Sequence, residues 1–438
     1  MVRRAMIVWF TVLCWVSLPL AVSAAEDIEA RFEAMQERMN RIEARLEVTT
    51  EQLELANEQL GERRSTLEKA VQTGPSSGLA AFLESIEIDG WVSASYWYNL
   101  NDPSNDRLMN ANVGTVGQSH PFSPDANQFS FDQLWFEIER PIDERNRAGF
   151  FAEIVFGKTA GLLPDGNTPV DGRAGGNNLY IGSAYVQYLT DLGITLKAGK
   201  FPTLIGAEVA QAPANFNISR GLVYNLLQPI DHVGIMASGE LPAEGWDWAL
   251  AVVNDVFETQ PTHTDGKAVM GHIGYAADTW SANLNGIWGD DTHGDENPKF
   301  GIVDVLLTWD PDERLSMWLN ADYNLNDDDG GSDPSAYGVA LAGRYAWNDR
   351  IGTALRLEYV ADDRAAFGFP DEADLWSLTA TVDYSLTDHL ILKGEIRHDQ
   401  GQIDKSPDHL FIEDGDRLPD TYTDQDQTTV GAQVIYEF

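Results

Sequence analysis

The chain has 438 residues and sets 69 Asp and Glu against 29 Lys and Arg, a formal charge of -40. That balance argues against a nucleic-acid surface. The 13 Trp, 14 Tyr and 18 Phe equally argue against the aromatic-poor composition of a disordered acidic chain.

Residues 1–25 read as a secretory signal. Arg3 and Arg4 precede the apolar "AMIVWFTVLCWVSLPLA", and the small residues of "AVSAAE" put cleavage after Ala24 or Ala25. A single membrane anchor is the rival reading, but the run falls short of the ~20 clean apolar residues a helix needs to span. The single cysteine, Cys14, lies inside this segment, and Trp15 after it makes a poor lipobox. The mature chain is therefore expected to have no disulfide and no cysteine-bound metal. Cleavage removes two arginines and no acid, which takes the charge from -40 to -42. No later apolar run is long enough for a membrane helix, so a membrane protein of this sequence would have to span with strands.

Residues 26–70 carry a different pattern. Phe32, Met39, Leu46, Leu53, Leu60 and Leu67 occupy one position of a heptad seam, and Ile28, Met35, Ile42, Thr49, Ala56 and Arg63 occupy the other. The seam predicts a coiled coil; a lone amphipathic helix is the alternative. Leu opposite Ile leans towards trimers or higher states, and Thr49, Ala56 and Arg63 weaken that preference. "QTGPSSG" then marks a flexible linker within residues 71–85.

From Ile86 to Phe438 the hydrophobic period is two. About sixteen alternating segments of roughly ten residues follow one another, the length a tilted strand needs to cross a bilayer. Tight turns ("PAEG", "DT", "ND", "TD") alternate with long acidic connections. In "DLWSLTATVDYSL", Trp376, Leu378, Ala380, Val382 and Tyr384 oppose Ser377, Thr379, Thr381 and Asp383. In "LSMWLNADYNL", Asn320, Asp322 and Asn324 oppose Leu319, Ala321 and Tyr323. Lipid outside and water inside explain both patterns. The predicted fold is an all-β transmembrane, closed antiparallel outer-membrane β-barrel over residues 86–438, preceded by an α-helical coiled coil. A two-sheet sandwich is the alternative, and it does not require the alternation of short and long connections. The chain ends on "TTVGAQVIYEF", still alternating, as expected of a last strand that pairs with the first. Its Tyr436 and Phe438 suit an assembly signal.

The third long connection, "PTLIGAEVAQAPANFNISRGLVYNLLQPID" (residues 202–231), is the least charged of the long loops and is rich in apolar residues. It reads as a loop folded inward against the wall. The stretch from Gly199 to Gly234 resembles the signature of the putative beta-barrel porin-2 (OmpL-like) family. Gly199, Lys200, Phe201, Gly206, Glu208, Asn215, Asn217, Ser219, Arg220, Gly221, Pro229, His232 and Gly234 stand at matching places, and Val233 stands where a Thr is expected. The resemblance implies an outer-membrane porin, leaves the solute open, and is also compatible with a siderophore-type uptake porin.

Candidate pore residues on that loop are Glu208, Asn215, Asn217, Ser219 and Arg220. Glu208 and Arg220 would either line the constriction and set ion selectivity or pin the loop to the wall. Alternation puts Arg344, Arg356, Glu358, Lys393, Glu395 and Arg397 on lumen faces, either as a transverse field or as cross-strand ion pairs. The acidic stretches at 290–297, 326–333 and 414–426 lack a complete calcium-loop pattern and read as solvated loops that draw cations to the mouth. No H-E-x-x-H or P-loop occurs, and no catalytic residue, metal ligand or cofactor is assigned.

The sequence thus predicts a porin for passive diffusion of small hydrophilic solutes or ions. A specific uptake channel and a structural outer-membrane tether are the rivals. Expected partners are outer-membrane lipid, a homotrimer, the barrel assembly machinery and the cell wall, reached through a periplasmic stalk. The expected location is the outer membrane of a Gram-negative cell.

Overall fold

The computed structural model describes residues 82–101, 125–163, 179–257, 266–290, 299–327, 335–363, 373–403 and 424–438. The signal, the heptad seam and most of the linker lie outside the described residues, as does most of each acidic stretch.

Sixteen strands form one closed antiparallel barrel in which each strand neighbours the next in sequence. They are β1 (Glu87–Asn99), β2 (Gln128–Arg140), β3 (Ala148–Phe156), β4 (Leu179–Leu189), β5 (Thr195–Pro202), β6 (Asp231–Glu240), β7 (Trp246–Val253) and β8 (Ala268–Ala276). The second half comprises β9 (Trp280–Asp290), β10 (Lys299–Trp309), β11 (Leu315–Asp327), β12 (Ser335–Ala346), β13 (Ile351–Asp363), β14 (Ala373–Ser385), β15 (Leu390–Ile403) and β16 (Asp424–Glu437). β16 pairs with β1 in the register Trp91↔Glu437 to Asn99↔Thr429. Phe438 completes the seam: its amide donates to the Gly90 carbonyl at 2.9 Å, and its carbonyl accepts from the Gly90 amide at 3.1 Å. Closure leaves no strand edge, which is what allows a sheet to stand in lipid.

Alternation decides the faces. On β13, Leu355 and Leu357 are exposed at 61% and 49%, while Arg356 and Glu358 between them are buried at 0% and 1%. On β16, Val430, Val434, Tyr436 and Phe438 face out, while Thr429, Gln433 and Ile435 face in. An apolar outer face with a polar inner one is the transmembrane-barrel pattern. Rings mark both ends of it. Trp246, Tyr275 and Trp280 cluster beside the short turns, with neighbouring centroids 5.2 Å apart. Tyr337, Tyr359 and Trp376 cluster beside the long loops, at 6.1 and 4.5 Å. Aromatic belts of this kind sit at the two membrane–water boundaries.

Four of the short turns share one device. Asp143 accepts from the amides of Arg145 (2.6 Å) and Asn146 (2.5 Å). Asp312 does the same for Arg314 and Leu315, Asn348 for Arg350 and Ile351, and Thr387 for His389 and Leu390. A short polar side chain that bonds the backbone two or three residues on closes a tight turn. The amides of Asn146 and Arg145 also hold the Asp143 carboxyl below its usual range.

One feature departs from the sequence reading. The inward Asn320, Asp322 and Asn324 of β11 are not bathed in water; they are 1–3% exposed because the third loop packs over them. The polar face there bonds to protein.

Candidate pore constriction

The third loop, residues 203–230, carries the short helix α1 (Leu222–Leu227). It is apolar because three patches of the inner wall receive it. Ile205 packs with Met236, Val253, Met270 and Ile302. Leu222, Val223, Leu226 and Leu227 of α1 pack on Ala336, Ala340, Val360 and Leu375. Ala210 and Ala212 join Trp91, Trp135, Val155 and the inward Ile435. The wall is built from small residues where α1 lies: a Cβ at Gly338 would meet Leu227 Cδ1 at 2.6 Å and Val223 Cγ2 at 3.0 Å.

Polar pins then fix the register. Arg356 on β13 is the hub. Its Nη1 donates to Glu208 Oε1 at 2.6 Å and to the Ser219 carbonyl at 2.7 Å, and its Nε donates to Glu358 Oε2 at 2.9 Å. Glu208 Oε2 accepts from the Gly221 amide at 2.6 Å, and Glu358 Oε1 from the Val223 amide at 3.3 Å. On β15, Glu395 accepts from the amides of Ile218 (2.6 Å) and Ser219 (3.0 Å), and from the Ser219 hydroxyl. Lys393 donates to the Asn215 carbonyl at 2.6 Å, and Arg397 to the Arg220 carbonyl at 2.7 Å and to Asp399 at 2.7 Å. Asn217 donates to Thr381 Oγ1 at 2.7 Å. Each charged side chain among these anchors is buried and bonded, the condition for keeping charge out of water. Burial pushes the Glu208 carboxyl up, against the downward pull of the Arg356 guanidinium and the Gly221 amide.

Two predicted loop residues turn inward on the loop itself. Arg220, 5% exposed, donates to the carbonyls of Val209 (2.8 Å), Ile218 (2.7 Å) and Ala210. Asn215 donates to the carbonyls of Val209 (2.8 Å) and Gln211 (2.6 Å) and accepts from the Val209 amide at 3.1 Å. Both side chains hold the loop's shape. Arg344 stands apart from the loop pins, in a two-bond pair with Asp383 at 2.9 and 2.7 Å. Tyr436 and Phe438 lie on the outer face, with the Phe438 ring 5.7 Å from Phe136.

Sequence reasoning missed the opposite wall. Gln133 on β2 donates to the Ala210 carbonyl at 2.8 Å and accepts from the Ala212 amide at 3.1 Å. Gln228 reaches Asn320 at 2.8 Å and Asp322 at 2.6 Å, and Asn324 holds the Leu227 carbonyl at 2.9 Å. The lone inward Gln133 carries no pattern to find it by. The polar face of β11 was a signal without a partner. The loop therefore crosses the lumen from β2 and β3 to β11, β13 and β15. Between it and the β1–β5 wall remains a cavity of about 510 Å³, lined by Trp91, Trp135, Glu137, Glu153, Glu208 and Asp231 among others.

The model of the family described as putative beta-barrel porin-2, OmpL-like, matches residues 85–438. Among solved structures, the outer membrane channel DcaP of Acinetobacter baumannii is similar, with TM-score 0.55 and 13% identity, over 81% of this chain and 97% of its own. The anion-selective porin from Comamonas acidovorans gives TM-score 0.53 and 13% identity, covering 81% and 99%. The trimer form of OmpT of Vibrio cholerae gives 0.52 and 10%, covering 81% and 99%. Identities this low carry the fold alone. No curated protein matches the chain in sequence.

Proposed function

The chain belongs to the putative beta-barrel porin-2, OmpL-like family, and from that premise we propose passive passage of small hydrophilic solutes and ions through a lumen narrowed by the third loop. The protein is an outer-membrane porin channel, and family and fold point to a channel rather than an enzyme. The observation that carries the finer reading is the loop's attachment. It is tied to three sectors of the inner wall by buried charged and amide groups, so it narrows the barrel as a fixed element.

In this reading Arg356, Glu358, Lys393, Glu395 and Arg397 hold the constriction in place, Glu208, Asn217 and Ser219 are its anchors, and Asn215 and Arg220 keep its form. The excess of acid over base favours cations. Three barrels assemble as a trimer, a reading supported by the heptad seam of residues 26–70 and by the trimer form of the similar OmpT. Residues 1–25 are the export signal, and 26–70 form a periplasmic stalk within reach of the cell wall. The terminal Tyr436 and Phe438 present the closing strand to the barrel assembly machinery.

The test is single-channel conductance of the purified protein in a planar bilayer, with reversal potential under a salt gradient. Stable steps in multiples of three with cation preference are expected. Silence from a correctly folded sample would sink the open-channel reading.

A further inference from the structure

On the inner wall, Asp89 stands directly opposite Glu137, and Glu137 directly opposite Glu153, in adjacent strands β1, β2 and β3. Like charges in that position repel and cost stability. Glu137 and Glu153 reach the cavity beneath the third loop. Two other carboxylates on that cavity are matched. Glu208 is paired with Arg356 at 2.6 Å, and Asp231 faces Lys200 at 3.4 Å. Glu153, only 6% exposed, accepts from the neutral Gln211 amide at 3.2 Å. Among the described residues neither Glu137 nor Glu153 meets a cation within ion-pair distance.

A second observation lies on the same wall. Trp135 is 1% exposed, stacks on Trp91 at 5.1 Å, and its indole N–H has no acceptor among the described residues. Buried donors are rarely left so. The cavity's size, about 510 Å³, falls within the range of small-molecule sites, about 300–1,000 Å³. Among the described residues no three His, Asp or Glu are gathered to hold a metal ion. The missing partner is then a cation with a body.

We propose that this cavity is a binding site for small organic cations. The ammonium lies between Glu137 and Glu153, and the apolar or aromatic body fills the space beside Trp91 and Trp135. The proposal deepens the channel reading and rests on it for access, since a solute crossing the lumen passes this cavity. It makes the acidic wall a selective waypoint for amines.

Tyramine is the probe. Tyrosol replaces its ammonium by a hydroxyl, and 3-(4-hydroxyphenyl)propionate replaces it by a carboxylate. Binding to the purified full chain in detergent is measured by calorimetry, and conductance steps are recorded in a planar bilayer. Tyramine is expected to bind at least tenfold tighter than either analogue. The double variant Glu137→Gln, Glu153→Gln, checked as folded by its heat-dependent electrophoretic mobility, should lose at least tenfold in tyramine affinity. Equal affinity for tyramine and tyrosol, an unchanged Kd in the double variant, or no tyramine binding overturns the site. Conductance steps without tyramine binding would reject the site and keep the channel. Carboxylate-dependent tyramine binding without steps would reject the channel and keep the site.

Discussion

Arg356 shows how one residue holds a loop. Its guanidinium is 0% exposed and lies between two carboxylates from different parts of the chain, Glu208 and Glu358. Arg356→Met should cost about 3–5 kcal/mol, because both acids would be left buried without a cation. Arg356→Lys should restore little, since an ammonium cannot reproduce the fork. Urea unfolding of the refolded barrel reads both variants, and a loss below 1 kcal/mol for Met would disprove the hub role. Gly221 is constrained by crowding rather than by backbone angle: a Cβ there would meet Glu358 Oε1 at 2.0 Å and Glu208 Oε2 at 2.6 Å. Gly221→Ala should therefore break the pins of both carboxylates, cost about 1–3 kcal/mol, and enlarge the single-channel step. The opposite sign is expected at the acidic rung. Glu153→Gln removes a like-charge repulsion across β2 and β3 and should raise stability by about 0.2–1 kcal/mol, seen as a higher unfolding midpoint.

At the scale of elements, α1 rests in a trough of small side chains, and Gly338 is its closest floor. Gly338→Leu should lift α1 off β12 at a cost of about 1–3 kcal/mol, and should raise conductance if the helix narrows the lumen. An unchanged step would place the narrowest point elsewhere. The strands themselves were legible because lipid and lumen impose period two on them: Leu355 and Leu357 against Arg356 and Glu358 is a pattern any reader of the sequence can find. The inward loop was legible too, since an apolar connection has to be covered. What spacing could not reveal is which wall covers it. Asn320, Asp322 and Asn324 read as polar, but their partners Gln228 and Leu227 are separated from them by some ninety residues of sequence and come together only once the ring closes. Arg220 read as either a pore charge or a pin to the wall because its place in the loop is visible; that it curls back onto three loop carbonyls is a matter of local fold with no periodic trace. The six-residue α1, too short for a helical period to register, went unread for the same reason.

At the scale of the whole molecule, the acid excess and the acidic rung make separable contributions to selectivity. Charges at the mouth act through solvent, where the screening length is about 10 Å at 0.1 M salt and about 3 Å at 1 M. Their pull on cations should fade as salt rises. Glu137 and Glu153 sit on a cavity under the loop, where screening is weaker, and their pull should persist. The reversal potential, measured at a fixed gradient ratio from low to high salt, should therefore fall from strong cation preference to a smaller residual one. In the Glu137→Gln, Glu153→Gln variant the residual should vanish while the low-salt preference largely remains. The arginines on the facing wall offset little of this residual, because Arg344, Arg356 and Arg397 are each paired with a carboxylate. If instead preference disappears in the native protein at 1 M salt, selectivity belongs to the mouth alone, and the rung plays no part in conduction.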